Sequence, residues 1–231
     1  MTSARRQRLC GVCETPVPAP FQAPQPEIAP DLDMRPGEPA RSTLPRWVAV
    51  CRSCGAAAPD PSALTPSVGG IVRSDAYQAL TGLEPPEAVP FRRWALACRA
   101  QGDRDAEAEA LLQAAWAADD AGAAAAAVEL RRTVAALWEN AADTRIALRR
   151  LDVLRRAGLF EAAGRCADGI ADRSLDETAR AVLAFQRARI AALDTARQSI
   201  GSALPPPAHA PHVTHVRRKI PGLWQRLLGR G

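Results

Sequence analysis

Two Cys-x-x-Cys pairs constrain the fold of this chain more than any other feature of its sequence. Cys10 and Cys13 form the first pair and Cys51 and Cys54 the second, so the pairs use four of the six cysteines. Each pair can present two thiolates on one tight turn, and two such turns complete a tetrahedron around Zn²⁺ with metal–sulfur distances of about 2.3 Å. The spacing therefore predicts a structural four-thiolate metal site, with Zn²⁺ as the preferred ion.

Other uses of these cysteines stay open, because the 37 residues between the pairs exceed the usual spacing of paired zinc knuckles. Iron is the less favoured ion. The pattern of Cys-x-x-Cys, a long loop and Cys-x-x-Cys-Gly also resembles rubredoxin, a family that typically has proline where this chain has Arg52. Thioredoxin-like redox chemistry at the first pair needs a preceding strand and a following helix, whereas basic residues precede this pair and prolines follow it. Four thiols without a ligand are the remaining alternative.

The N-terminal third of the chain has too little apolar sequence for an ordinary core. Residues 14–50 are rich in proline, which excludes a regular helix or a central strand, but residues 47–50 are β-prone and lead into the second cysteine pair. Gly55 after that pair is predicted to take a positive φ, which turns backbone amides toward the sulfurs. Because metal binding can replace a missing core, we expect a small zinc-ribbon-like β module over residues 1–60 and a connector over residues 61–90.

Helical periodicity begins near residue 91, where alanine and arginine become frequent. The apolar stripes comprise Leu111, Leu112, Ala115 and Trp116, then Leu130, Val134, Leu137 and Trp138, then Ala147, Leu148, Leu151 and Leu154, and finally Leu175, Ala179, Val182, Leu183, Ile190 and Leu193. Gly158 is predicted to end one helix as a left-handed C-cap, and Ser174 with Glu177 predicts a capping box at the start of another. We expect a mainly α fold, with a helical domain over residues 91–200 and a flexible basic tail over residues 201–231.

One of the helical turns resembles a known repeat. Residues 157–163 (AGLFEAA) are similar to the turn between the two helices of a tetratricopeptide unit, where glycine opens the turn and a small alanine permits close helix contact. Gly122 and Ala127 repeat this spacing 36 residues before Gly158, close to that family's period of about 34. Glu107 stands where the small residue should follow Gly102, so an unrelated helical bundle stays the alternative to a helical-hairpin, tetratricopeptide-like domain.

Three further strings carry a second resemblance: residues 30–36 (PDLDMRP), residues 41–47 (RSTLPRW) and residues 114–121 (AAWAADDA). Together with the cysteine pairs, they resemble uncharacterised bacterial proteins in which a zinc-ribbon module precedes tetratricopeptide-like helices. The resemblance covers residues 8–195 and implies the same two-part architecture, but it implies no activity. This chain has Gly11 and Arg52 at the positions where that group tends to have proline.

Charged residues inside two of these strings invite a specific prediction. Asp31, Asp33 and Arg35 alternate within the proline-framed loop, where they could hold a partner's charge or anchor the loop to the zinc ribbon. We predict local anchoring of the loop. Asp119 and Asp120 are neighbours near a helix end, and neighbours in sequence point to different sides of a helix. We predict that they belong to a solvated helix face.

The net basic charge of the chain is concentrated at its C-terminal end. The formal net charge is +5, and residues 205–231 contain five basic residues and no acidic one, so residues 1–204 sum to zero. A nucleic-acid-binding body is expected to keep a basic patch on its fold, which makes nucleic acid an unfavoured partner. A nucleic-acid-associated zinc ribbon that uses Arg5, Arg6 and Arg8 stays an alternative.

The tail ends in a short amphipathic stretch. Its apolar side chains belong to Leu223, Trp224, Leu227 and Leu228. Helices this short are marginal in water, so simple disorder is the first expectation. A docking segment for a groove on a partner protein and contact with anionic lipid are the alternatives.

The sequence favours a protein that is not an enzyme. All three histidines, His209, His212 and His215, lie in the tail, so the body lacks the commonest general base, and it has no phosphate-binding glycine motif. No apolar run is long enough for a transmembrane segment, and no apolar signal segment precedes the first cysteine pair. We therefore predict a cytoplasmic adaptor that presents a metal-stabilised module and a helical body to another protein.

Overall fold

The computed structural model describes residues 8–204, which are mainly helical, as predicted. Strands β1 (Ala49–Val50) and β2 (Ala57–Ala58) form an antiparallel pair with Ala49 opposite Ala58 and Val50 opposite Ala57. The α-helices of this range are α1 (Val68–Val72), α2 (Asp75–Gln78), α3 (Val89–Ala100), α4 (Arg104–Asp120), α5 (Ala124–Leu137), α6 (Thr144–Arg156), α7 (Phe160–Ala171), α8 (Glu177–Ala191) and α9 (Ile200–Ala203). Short 3₁₀ segments occupy Arg41–Arg46, Pro61–Ala63, Ala79–Gly82 and Pro86–Ala88.

Helix ends follow local chemistry, with one departure from the sequence prediction. Gly158 takes a φ of 70° after α6, so the predicted left-handed C-cap is confirmed. The predicted capping box at Ser174 is wrong, because α8 begins at Glu177 and the carboxylate of Asp176 accepts the amide of Ala179 at 2.7 Å. Aspartate is as good an N-cap as serine, and Asp176 stands next to the first helical residue.

The main core lies between the long helices α3 to α8, which pack against their neighbours in chain order, with α6 also contacting α8. Alanine supplies about half of the buried residues of this core, and larger side chains fill the remaining space. Leu112 and Leu151 are fully buried, and Trp116 is 3% exposed. Trp47 packs edge-on against Trp116 with ring centroids 6.4 Å apart. This contact joins the Arg41–Arg46 turn to α4.

Two smaller clusters hold the N-terminal part against the helices. One combines the cysteine turns and β2 with α1, α2 and α3, and it includes Cys10, Cys51, Ala56, Ala58, Leu64, Val68, Val72, Tyr77 and Ala97. In the other, Leu32 packs against Val182 of α8 and Ile200 of α9. The proline-rich loop is therefore held by α8 and α9, which are far from the cysteine pairs in sequence.

None of the helices within residues 8–204 combines the length and the apolar character that a membrane span requires. The predicted docking stretch at Leu223 and Leu228 and the three histidines lie outside the described residues, as do Arg5 and Arg6.

Candidate metal centre

The first cysteine pair sits on a tight turn that its own backbone closes. The amide of Glu14 donates to the carbonyl of Cys10 at 2.9 Å, and the amide of Cys10 donates to the carbonyl of Thr15 at 2.8 Å. Glu14 has a φ of 57°, which reverses the chain after Cys13. The turn thereby places Cys10 and Cys13 at one end of a narrow loop.

Gly11, between these cysteines, is required by its surroundings. A Cβ atom at this position would lie 1.6 Å from the carbonyl oxygen of Leu64, and the Gly11 amide donates to the carbonyl of Pro61 at 3.0 Å. Proline would create the clash and remove the donor. The departure from the Cys-Pro-x-Cys pattern at this position therefore has a structural reason in this chain.

The second cysteine pair repeats the hydrogen bonds of the first. The amide of Gly55 donates to the carbonyl of Cys51 at 2.8 Å, and the amide of Cys51 donates to the carbonyl of Ala56 at 2.8 Å. Gly55 has a φ of 77°, as predicted, and the amide of Ala56 is hydrogen-bonded to the sulfur of Cys54. The two turns are local copies of each other, although the intervening sequences differ.

The two turns face each other, so that the four thiols form one cluster. The Sγ atoms of Cys10 and Cys54 lie 3.8 Å apart and those of Cys13 and Cys51 lie 3.6 Å apart, and all four lie within 4.8 Å of one another. Four sulfurs at about 2.3 Å from a central ion would lie about 3.8 Å from each other in a tetrahedron. The four predicted ligands therefore lie close enough to hold one metal ion.

Burial differs between the members of the cluster in a regular way. The first cysteine of each pair, Cys10 or Cys51, is almost completely buried, with 1% and 2% of its surface exposed. The second cysteine of each pair, Cys13 or Cys54, is partly exposed. One side of the sulfur cluster therefore rests on the apolar cluster with α1 to α3, and the other side approaches solvent.

The thiols differ in acidity although they lie together. Burial, with the neighbouring thiol groups of Cys13, Cys51 and Cys10, raises the pKa of Cys54 to about 12, and burial also raises the pKa of Cys10. Hydrogen bonding to the side chain and backbone of Thr15 lowers the pKa of Cys13 to about 6. Several thiolates in so small a volume require a compensating cation, and metal coordination deprotonates thiols outright. The donor chemistry therefore fits a thiophilic metal ion.

The charged residues of the proline-rich loop lie elsewhere, in a set of contacts that we name the Asp33 anchor. The Asp33 carboxylate is fully buried, accepts the indole N–H of Trp116 at 2.9 Å and pairs with Arg156 at 3.1 Å. Arg149 donates to the Asp33 carbonyl at 3.2 Å, and Arg35 pairs with Asp120 at 2.5 Å. The loop is thus anchored, but its charged side chains reach α4 and α6, whereas the sequence pattern predicts local anchoring on the cysteine module.

Asp119 extends the Asp33 anchor toward α5, and its predicted place on a solvated face is wrong. Arg131 makes a two-point pair with Asp119, at 3.0 and 2.5 Å, and Arg156 contacts the same carboxylate at 2.7 Å. Burial opposes ionisation of Asp33, but the guanidinium groups of Arg156 and Arg131 hold its pKa below the usual value. The same balance lowers the pKa of Asp119.

Tyr77 lies near the candidate metal centre, and the sequence alone assigns it no role. Its hydroxyl contacts the backbone on either side of Ala56, immediately after the second cysteine turn. Tyr77 lies on α2, which the Ala79–Gly82 turn follows directly. The sequence feature that could have drawn attention to Tyr77 is composition, because it is the single tyrosine of a chain with 4% aromatic residues.

Comparison of the chain with protein-family models, with curated proteins and with solved structures found no match. The resemblance to zinc-ribbon proteins with tetratricopeptide-like helices therefore stays a prediction.

Proposed function

We propose that this chain is a zinc-stabilised adaptor protein without catalytic activity, in which Cys10, Cys13, Cys51 and Cys54 hold one Zn²⁺ ion. The observation that carries the metal assignment is the cluster of four sulfurs with tetrahedral dimensions. All four ligands come from the chain, and a closed four-thiolate shell is typical of structural sites, whereas catalytic zinc keeps an open position. When bound, the ion would cross-link the two turns.

The helical body supports the interaction role through its hairpins. At the turn between α6 and α7, Gly158 has a φ of 70° and Ala163 is fully buried. At the turn between α4 and α5, Gly122 has a φ of 72° and Ala127 is 1% exposed. The open glycine and the buried small residue are the features that define the tetratricopeptide turn. Arrays of such hairpins present extended surfaces to protein partners.

The charged groups of the interior favour a structural role over catalysis. Residues 8–204 contain no histidine, and the buried carboxylates of Asp33 and Asp152 and the partly buried carboxylate of Asp119 each accept from arginine. Catalytic acids and bases need a pKa matched to proton transfer, and pairing with arginine holds the pKa values of Asp33 and Asp119 below the usual value. Burial raises the pKa of Asp152 to about 6, but its carboxylate is buried against Arg155, where a substrate does not reach it. We place the protein in the cytoplasm, where a reducing environment keeps the ligand thiols available.

Elemental analysis of the purified full chain tests the metal assignment. We expect one equivalent of zinc per chain, and no zinc in the variant that carries Cys→Ser at all four ligand positions. The matched control is Cys98→Ser, which removes a buried thiol outside the cluster and should leave the zinc content unchanged. Zinc content well below one equivalent, or equal content in both variants, would contradict the assignment.

Capture of partners tests the adaptor role separately. Chemical cross-linking in cells followed by purification should recover the same protein partner with wild type and with Cys98→Ser, and the four-site Cys→Ser variant should recover less of it. Partners no more abundant than in a mock purification would contradict the adaptor role and leave the metal assignment intact.

An iron–thiolate electron-transfer protein is the second candidate. The same sulfur tetrahedron accepts iron, and the partly exposed Cys13 and Cys54 would give an electron-transfer partner access to the centre. Visible absorption separates the two, because a ferric thiolate centre is red and a zinc centre is colourless. The nucleic-acid alternative gains no support from the described residues, since Arg8 pairs with Asp60 and donates to Ser62.

A further inference from the structure

A single buried hydroxyl group joins the second cysteine turn to the helices. The Tyr77 hydroxyl donates to the carbonyl of Gly55 at 2.9 Å and accepts the amide of Ala57 at 3.1 Å. Gly55 follows the ligand Cys54 directly, and Ala57 begins β2. One oxygen atom therefore bridges the backbone at the exit of the turn that carries Cys51 and Cys54.

The Tyr77 side chain is itself held rigidly. It is fully buried, and its ring shares an apolar cluster with Val68, Val72 and Ala97. Ser74 caps α2 through the Tyr77 amide at 3.3 Å, and the guanidinium group of Arg93 lies 5.2 Å from the ring centroid. A displacement of the second cysteine turn would have to break the hydroxyl contacts or move α2.

The first cysteine turn has no comparable side-chain bridge within the described residues that contact it. Its outer support comes from the Gly11 amide on the Pro61 carbonyl and from Arg8, which pairs with Asp60. The second turn instead depends on a side chain that is absent from both cysteine motifs. Groups that orient metal ligands without touching the metal typically change metal affinity by about 10- to 100-fold when they are removed.

We propose that Tyr77 is a positioning residue of the metal centre, whose hydroxyl holds the Cys51–Cys54 turn in the orientation that completes the sulfur tetrahedron. This inference rests on the metal site proposed above. It assigns to residues 61–90, predicted from the sequence to be a connector, an indirect part in metal binding, because α2 supplies the hydroxyl.

The conservative change Tyr77→Phe removes only the hydroxyl, and Val72→Ala is the matched control. Val72 is buried in the same cluster, but its side chain makes no hydrogen bond to the turn. Full-length wild type and both variants would be loaded with Co²⁺ and then with Zn²⁺, and metal transfer to a chromophoric chelator would be followed. We expect each protein to bind one equivalent, with affinity about tenfold weaker in Tyr77→Phe and an altered Co²⁺ ligand-field spectrum in that variant alone.

Equal metal affinity and equal Co²⁺ spectra in Tyr77→Phe and Val72→Ala would overturn the positioning role, whatever their melting temperatures. Wild type that binds neither Co²⁺ nor Zn²⁺ would overturn the proposed metal site, and the positioning role with it. The two failures are distinguishable because only the second affects the unmodified chain.

A second measurement needs no substitution at Tyr77. Because Tyr77 is the single tyrosine of the chain, growth with 3-fluorotyrosine labels this position alone. We expect the ¹⁹F resonance to move when Zn²⁺ is added to the metal-free protein, and to stay in place when Zn²⁺ is added to the labelled four-site Cys→Ser variant. If the ¹⁹F chemical shift did not change on addition of Zn²⁺ to a protein shown to bind it, the proposal would be contradicted.

Discussion

The cysteine module and the Asp33 anchor fasten two parts of the same N-terminal region by different physics. The module brings together four sulfurs from two short turns, with no acidic or basic side chain among the ligands. The anchor uses a buried carboxylate whose partners lie on α4 and α6, 83 residues away at Trp116 and 123 residues away at Arg156. The Asp33 carboxylate is fully buried, whereas Cys13 and Cys54 of the module are partly exposed, and only the module has ligands that could hold a component from outside the chain.

The two sites differ in what stabilises them, and this difference indicates which part of the N-terminal region would need a bound metal ion to stay folded. Around the cysteines the described apolar cluster is small, and we propose that a metal ion supplies much of the cohesion there. Around Asp33 the loop rests on the main helical core, and Leu32 packs against α8 and α9. We expect the cysteine module to unfold without metal while the helices persist.

Metal removal should have the largest effect. Structural Zn²⁺ contributes an apparent 10 to 16 kcal/mol in small zinc-finger peptides, so a strong chelator should unfold the module around Cys10 and Cys51. Limited proteolysis with mass spectrometry should then show new cuts within residues 8–60, while far-ultraviolet circular dichroism retains most of the helical signal. If the cleavage pattern stayed unchanged after complete metal removal, the cysteine module would not depend on metal, and the contrast with the Asp33 anchor would be wrong.

Removal of the Asp33 carboxylate should have the next largest effect. Asp33→Ala leaves Arg156 buried without this partner, and removal of one member of a buried pair typically costs about 3 to 5 kcal/mol. Urea denaturation should show this loss, with metal content unchanged. The matched control is Glu129→Ala, which breaks the exposed pair with Arg132 and should cost less than about 1 kcal/mol. Equal losses in the two variants would contradict the anchor.

A change at Gly11 should have a smaller effect, confined to the cysteine module. In Gly11→Ala the new Cβ meets the carbonyl of Leu64, and such overpacking typically costs about 1 to 3 kcal/mol. Gly164→Ala in α7 is the control, because no atom lies within 4 Å of its Cβ position and alanine favours a helix by about 1 kcal/mol. Thermal melts should move in opposite directions. A Gly11→Ala protein as stable as wild type would contradict the close approach.

Acid should weaken the Asp33 anchor with a defined sign. The pKa of Asp119 is lower in the folded chain than its usual value, so its stabilising contribution is complete above about pH 4 and is lost as the pH falls through the lower folded value. The stability difference between wild type and Asp119→Asn, from urea denaturation, should therefore shrink in strong acid. Glu129→Gln serves as the exposed control. A difference that grows on acidification would contradict this sign.

Sequence patterns predicted the features that depend on neighbours along the chain. The spacing within each cysteine pair, the positive φ of Gly55 and the cap at Gly158 are local, and all three are found. The mainly helical body follows from apolar periodicity in the same way. The requirement for glycine at position 11 was not predictable, because it comes from Leu64, which approaches from a distant part of the chain.

Long-range partners explain the remaining differences. The alternation of Asp31, Asp33 and Arg35 predicted anchoring, but nothing local identifies Trp116 and Arg156 as the partners. The position of Asp119 on its own helix predicts a solvated side chain. In the fold, arginines on α5 and α6 pair with its carboxylate. Tyr77 similarly acquires its contacts only when α2 meets the second cysteine turn. Each of these depends on packing between elements that sequence spacing does not encode.

X-ray absorption at the zinc edge is the most direct test of coordination by four thiolates, because it reports the atoms bound to the ion in the intact chain. We expect four sulfur neighbours at about 2.3 Å and no nitrogen or oxygen neighbour in the first shell. A shell with fewer than four sulfurs would contradict the account, since Cys10, Cys13, Cys51 and Cys54 would then not hold the ion together.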